Sequence, residues 1–298
     1  MFSNKRSFRQ ALAAWRRWKR KNFWRTWNMK GTRRFLKMPR IRISEQEIYF
    51  AVRENKNSSH APFIFIHGAG DSHLVWNGQL AASARIADSF ALDLPGHGRS
   101  TGAGRATILD NALVVREFLD GLEIERAILI GHSMGGAIAQ TVALEFSERV
   151  AGLVLVGTGA KLRVALQFLD GIQNDFENTA RLLVENYFAP DALPSFKEKS
   201  LRQLLATGSV VTYNDFAACD AFDVRERVSL IAAPTLVLCG RDDKMTPLKS
   251  SEFLTQHLPH ARLVIIENAG HMVMLEQPEE FTGAVTRWVD GLMDGAKS

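Results

Sequence analysis

Six short apolar runs mark out this chain, and each ends in glycine or a polar turn: FIFIHG (63–68), SFALDLPGHG (89–98), RAILIG (126–131), AGLVLVG (151–157), APTLVLCG (233–240) and ARLVIIEN (261–268). A continuous apolar run of this length, without polar alternation, reads as a strand buried on both faces. The segments between them carry helical spacing: LVWNGQLAASA, ATILDNALVVREFLDGL (106–122), MGGAIAQTVALEFSERV, the stretch after Pro247, and 278–293. Strands alternating with helices imply crossover connections and a mostly parallel, doubly wound α/β sheet. IRISEQEIYFAV (41–52) adds a strand or hairpin in front. After AGLVLVG, the sixth strand when the front hairpin counts as two, the alternation stops. Residues 158–230 are helical in pattern, rich in aromatics and leucine, and predict a helical cap over one end of the sheet. The expected division is an arm (1–42), a core (43–157 and 231–298) and the cap (158–230). A chain of 298 residues, 46% hydrophobic, can bury one large core with such an insertion.

Between the strand RAILI and the helix that follows stands Gly131-His132-Ser133-Met134-Gly135. A serine that projects from a sheet edge needs a sharp, strained turn, and side chains two residues to either side would strike neighbouring backbone. Gly131 and Gly135 meet that need. Ser133 then opens a helix, where backbone N–H groups favour developing negative charge. In a turn of this kind the N–H of the following residue, Met134, is one donor of an oxyanion hole.

A serine nucleophile needs a base and a group to orient that base. Two later segments follow strands in the order acid, then histidine: CGRDDKMTP and AGHMVMLEQPEEF. His271 would take the proton from Ser133, and a carboxylate of the first segment, Asp242 or Asp243, would orient it. His97 reads as a turn-holding residue, His132 lies on the wrong side of the turn to share the proton, and His257 and His260 read as surface residues. No histidine has metal-ligand spacing, so neither metal nor cofactor is expected.

HGAG (67–70), DLPGHGRS (93–100), GHSMGG (131–136) and GH (270–271) together resemble the α/β-hydrolase superfamily, over roughly residues 45–293. The resemblance implies that the acid is Asp243, from the spacing of Gly240, Asp243 and Pro247, with Asp242 on the solvent side of its turn. It also implies that Ala69 supplies the second oxyanion N–H and that His67 shapes its loop. Asp71 reads as a turn residue. Relatives with aspartate as nucleophile cleave carbon–halogen bonds or epoxides; Ser133 argues for acyl transfer from an ester, thioester or lactone to the serine, then hydrolysis. Other chemistry open to the same constellation is carbon–carbon hydrolysis, acyl transfer or cofactor-free lyase work, with a non-catalytic binding protein as a further alternative. Phe168, Tyr187, Phe188 and Phe216 are candidate pocket residues, beside Phe176 and Phe222, and all six are equally suited to the core of the cap. They point to a small to medium apolar acyl ester as substrate. The layout is similar to capped esterases and lactonases that process aromatic breakdown products.

Charge divides the chain sharply. Of 37 Lys and Arg, 15 fall in residues 1–42, which hold no Asp or Glu; the remainder carries 22 basic against 32 acidic residues. Phe8, Ala11, Leu12, Ala14, Trp15 and Trp18 share one arc of a helical wheel, with most cations opposite. That is an interfacial signature, and an anionic membrane surface is the first expected partner of the arm. Nucleic acid is a weaker alternative, then an organellar transit peptide or an extension without a partner. No run reads as a transmembrane helix or secretory signal. The two cysteines suit a reducing compartment, so the expected location is cytoplasmic, peripheral to the inner face of a membrane through the arm. The oligomeric state is not legible.

Overall fold

The computed structural model describes residues 39–294 apart from 44, 56, 57 and 59, and the side chains as far as residue 292. The amphipathic arm segment lies outside the described residues. Strands β1 (Arg40–Ile43) and β2 (Gln46–Arg53) form an antiparallel hairpin, and β2 runs antiparallel to β4 (Ser89–Leu92). Strands β3 (Phe63–Ile66), β5 (Ala127–His132), β6 (Val150–Val156), β7 (Thr235–Gly240) and β8 (Ala261–Ile266) join β4 in parallel. The spatial order is β1-β2-β4-β3-β5-β6-β7-β8.

Alternation along each strand explains the unbroken apolar runs. Ile64, Ile66, Leu129, Leu153 and Leu155 enter one core cluster, with residues of helices α2 (Ile108–Gly121) and α3 (Met134–Glu145). Phe63, Phe65, Ile128, Ile130, Val154 and Val156 enter the other, where Leu80 of α1 (Asn77–Ser83) and Phe281, Val285 and Trp288 of a C-terminal helix, Pro278–Asp294, pack. Both faces of the sheet are covered, so side chains of both parities must be apolar. Helix α2 begins where Thr107 accepts the Asp110 N–H, a side-chain N-cap.

Four α-helices stand between β6 and β7: α4 (Leu166–Asn174), α5 (Phe176–Tyr187), α6 (Pro194–Thr207) and α7 (Ser209–Ala221). The two ends of this insertion meet in an isolated antiparallel bridge between Lys161 and Asp223. After β7 come α8 (Leu248–His257), the short α9 (Val273–Glu276) and α10, the Pro278–Asp294 helix. Cys219 and Cys239 are buried, unbonded thiols. Among the described residues no helix is long and apolar enough to cross a membrane.

Candidate active site

Parallel pairing brings the strand ends to one edge. Ile66 lies opposite Gly131, Gly131 opposite Leu155, and Gly240 opposite Ile266. The loops after β3, β5, β7 and β8 therefore leave the sheet at its carboxyl edge, where open α/β sheets hold ligands.

Ser133 has φ 52° and ψ −116°, a conformation costly for a residue with a Cβ. Its surroundings fix it. Its N–H donates to the Val156 carbonyl at 2.9 Å, and its carbonyl accepts the Gly136 N–H and the Thr158 hydroxyl, each at 2.9 Å. A Cβ on Gly131 would collide with the Gly135 carbonyl, and one on Gly135 with the Ile66 carbonyl. Both glycines are demanded by backbone crowding around the elbow.

His271 is buried, and its N–H donates to the Tyr187 carbonyl at 2.8 Å. Its Nδ1–H donates to Asp243 Oδ2 at 2.9 Å, which leaves Nε2 as the free acceptor of the neutral ring. Asp243 is buried too; its Oδ1 accepts the Met245 and Thr246 N–H groups, and its Oδ2 the Thr246 hydroxyl. Burial alone would raise its pKa, but the charge and hydrogen bond of His271 and the Thr246 donors outweigh that and hold it below the usual value. Asp242 is exposed.

Ser133 and His271 line one pocket of about 530 Å³. No hydrogen bond joins their side chains; catalytic contacts of this kind tighten in the substrate complex. The N–H groups of Ala69 and Met134 have no acceptor among the described residues, and Ala69 lines the pocket. Tyr187 and Phe216 line it as well, with Leu162, Val164 and Met272. Phe168 and Phe188 do not. Phe188 is buried against Phe196, rings stacked 6.3 Å apart, and Phe168 packs into the second core cluster. Phe176 joins the same cluster and Phe222 the first. Helix faces that close the core are thus unavailable to a ligand. Asp71, expected as a turn residue, also lines the pocket; loss of hydration pushes its pKa up to about 7.

Three other buried histidines, His67, His97 and His132, hold structure. His67 Nδ1 donates to the Gly68 carbonyl and Nε2 accepts the Leu94 N–H, so the ring is neutral; burial and then His97 push its pKa down to about 4. His132 Nε2 donates to the His271 carbonyl at 3.0 Å, and burial lowers its pKa well below the ordinary value. His97 holds more than a turn. Its Nδ1 lies 3.0 Å from the Pro95 carbonyl, and its Nε2 bonds Asp215 Oδ2 of α7 at 2.7 Å. That oxygen also accepts the Gly70 N–H at 2.8 Å, while the Gly70 carbonyl accepts the Thr207 hydroxyl. Both polar groups of Gly70, which follows Ala69, are thus held from the insertion. Glu276 accepts the Gly270 and Ala189 N–H groups, tying the His271 loop to the insertion. Asp215, Thr207 and Glu276 carry no local motif, and only the folded chain brings them to these loops.

The family described as alpha/beta hydrolase fold matches residues 61–278. The chain belongs to that family. It is 32% identical over 233 residues to the protein named 3-oxoadipate enol-lactonase 2 of Acinetobacter baylyi, covering 74% of this chain and 86% of that one. It is 33% identical over 247 residues to the 2-hydroxy-6-oxononadienedioate/2-hydroxy-6-oxononatrienedioate hydrolase of Paraburkholderia phymatum, covering 73% and 83%. Among solved structures it is similar to one titled a thermophilic esterase, at TM-score 0.77 and 33% identity, covering 86% of this chain and 98% of that one. Its relatives in the family are hydrolases.

Proposed function

We propose that this alpha/beta hydrolase cleaves a carboxylic ester, thioester or lactone through an acyl-enzyme on Ser133. His271 Nε2 takes the Ser133 proton as the hydroxyl attacks the carbonyl carbon, then delivers it to the leaving oxygen or sulfur. Asp243 holds the ring in the tautomer this requires and stabilises the imidazolium that forms. The Ala69 and Met134 N–H groups receive the oxyanion. Water, deprotonated by the same nitrogen, then releases the acid. The observation that carries the reading is the buried Asp243–His271 hydrogen bond, which leaves Nε2 free in the pocket that Ser133 shares.

The 33% identity to a protein named as a hydrolase of an oxo-diene dicarboxylate favours a second reading, in which the bond broken is carbon–carbon. A graded set of 4-nitrophenyl esters separates the two. Turnover by the wild type and its loss in Ser133→Ala supports ester hydrolysis. No ester turnover and no labelling of Ser133 by a fluorophosphonate contradicts it.

Strand β1, Arg40–Ile43, takes in the end of the expected arm, so residues 1–38 are proposed to bind an anionic membrane surface, on the strength of their 13 cations and absent acids. Equal sedimentation with anionic vesicles by the full chain and by a form starting at Pro39 would contradict this.

A further inference from the structure

The pocket mouth is strongly basic, against the charge of the body around it. Lys161, Arg163, Arg225, Lys244 and Lys249 all line the pocket, and Asp71 is its one acidic lining residue. Beyond residue 42 acidic residues outnumber basic ones, 32 to 22, so five cations around one opening run counter to the local supply. They come from three places: the start of the insertion (Lys161, Arg163), its end (Arg225), and the segment after β7 (Lys244, Lys249). Asp223 binds two of them, Lys161 Nζ at 2.8 Å and the Arg225 guanidinium at 2.8 and 2.9 Å, and so offsets one charge. Among the described residues Arg163, Lys244 and Lys249 have no ion-pair partner, and all three are exposed. Asp71 does not offset them fully, because its pKa near 7 leaves it partly protonated at neutral pH.

From this we infer that the substrate carries an anionic group on the part that reaches the pocket mouth, while its scissile carbonyl lies at Ser133. The inference rests on the hydrolase reading above and names its substrate class. Tyr187, Phe216 and Leu162 are buried and supply an apolar depth; the cations are at the rim. An acyl chain crossing the depth and ending in a carboxylate satisfies both. An apolar ester satisfies only the depth and leaves three unpaired charges facing it. Opposite charges a few ångströms apart in a half-wet opening attract, and the attraction falls as salt rises.

The test uses the full chain and two substrates: 4-nitrophenyl hexanoate and its analogue in which a carboxylate replaces the terminal methyl. The expected result is a kcat/KM at least about tenfold higher for the anionic ester at low salt, expressed mainly in KM. That ratio should shrink as ionic strength rises, and should fall towards one in the combined variant Arg163→Gln, Lys244→Gln, Lys249→Gln. An amine-terminated analogue should be the poorest substrate of the three. Turnover of the neutral ester at equal or better kcat/KM overturns the inference and leaves the hydrolase reading intact. So does a preference that survives the triple substitution. Failure of every ester to react overturns the ester-hydrolysis reading, and the inference with it.

Discussion

Of three buried histidine–aspartate pairs among the described residues, His271–Asp243 and His97–Asp215 differ in what lies beyond the ring, while the third, His73–Asp93, joins the segments after β3 and β4. In His271–Asp243 the carboxylate occupies Nδ1 and the other nitrogen has no partner among the described residues, in a side chain that lines the pocket. In His97–Asp215 both ring nitrogens are bonded within the protein, one to the Pro95 carbonyl and one to the carboxylate, and the pair is sealed. A short hydrogen bond to a carboxylate does not by itself mark a histidine as a base; the proposed base is the one whose second nitrogen is left free in the pocket that Ser133 also lines. The second pair is built instead to join the insertion to the sheet.

Breaking the first pair should show mainly in chemistry. Asp243→Asn keeps the shape but can hold the wrong tautomer, and kcat for an ester should fall by roughly 10³–10⁴ with little change in melting temperature. An activity loss no greater than that of Asp242→Asn would contradict the assignment. Breaking the second should show mainly in stability. Asp215→Ala leaves His97 and the Gly70 N–H without their partner, and chemical denaturation should report a loss of about 3–5 kcal/mol. Because Gly70 follows Ala69, kcat should also fall, by less than in Asp243→Asn. A stable Asp215→Ala with normal kcat would remove the joining role.

The smallest expected effects lie in pH dependence. Burial alone would lower the His97 pKa, yet the charge and hydrogen bond of Asp215 raise it above 6.5. The folded chain therefore holds that proton more tightly than the unfolded one. Its contribution is fully present below pH 6.5 and fades as pH rises through the folded value. Asp243 is depressed below 3.8, so its contribution is present above that pH and fades as acid carries it through its folded value. Denaturation curves from pH 3 to 9 should lose the alkaline decline in His97→Gln and part of the acid decline in Asp243→Asn. Identical curves for wild type and both variants would contradict the directions given.

How much of this was legible in the sequence follows from how local each constraint is. The strands were readable because both sheet faces are covered, which forces unbroken apolar runs such as FIFI and ILI. The elbow was readable because Gly131 and Gly135 are required by backbone within a few ångströms. Asp243 could be told from Asp242 only through the spacing to Pro247, and the structure separates them by burial. The insertion was readable as helical but not residue by residue. Phe188 and Phe216 look alike in sequence, and only helix packing decides that Phe216 meets the pocket and Phe188 meets Phe196. The role of Asp215 and the basic mouth were illegible, because each joins residues far apart in the chain.

The central claim is that Ser133 attacks and carries the acyl group. Rapid acid quench of an ester reaction, followed by mass analysis of the peptide that contains Ser133, tests it directly. The account predicts an added acyl mass on Ser133 that appears in the wild type, decays as product forms, and is absent from Ser133→Ala. Steady turnover with no adduct on that peptide, or with an adduct on another residue, would contradict it.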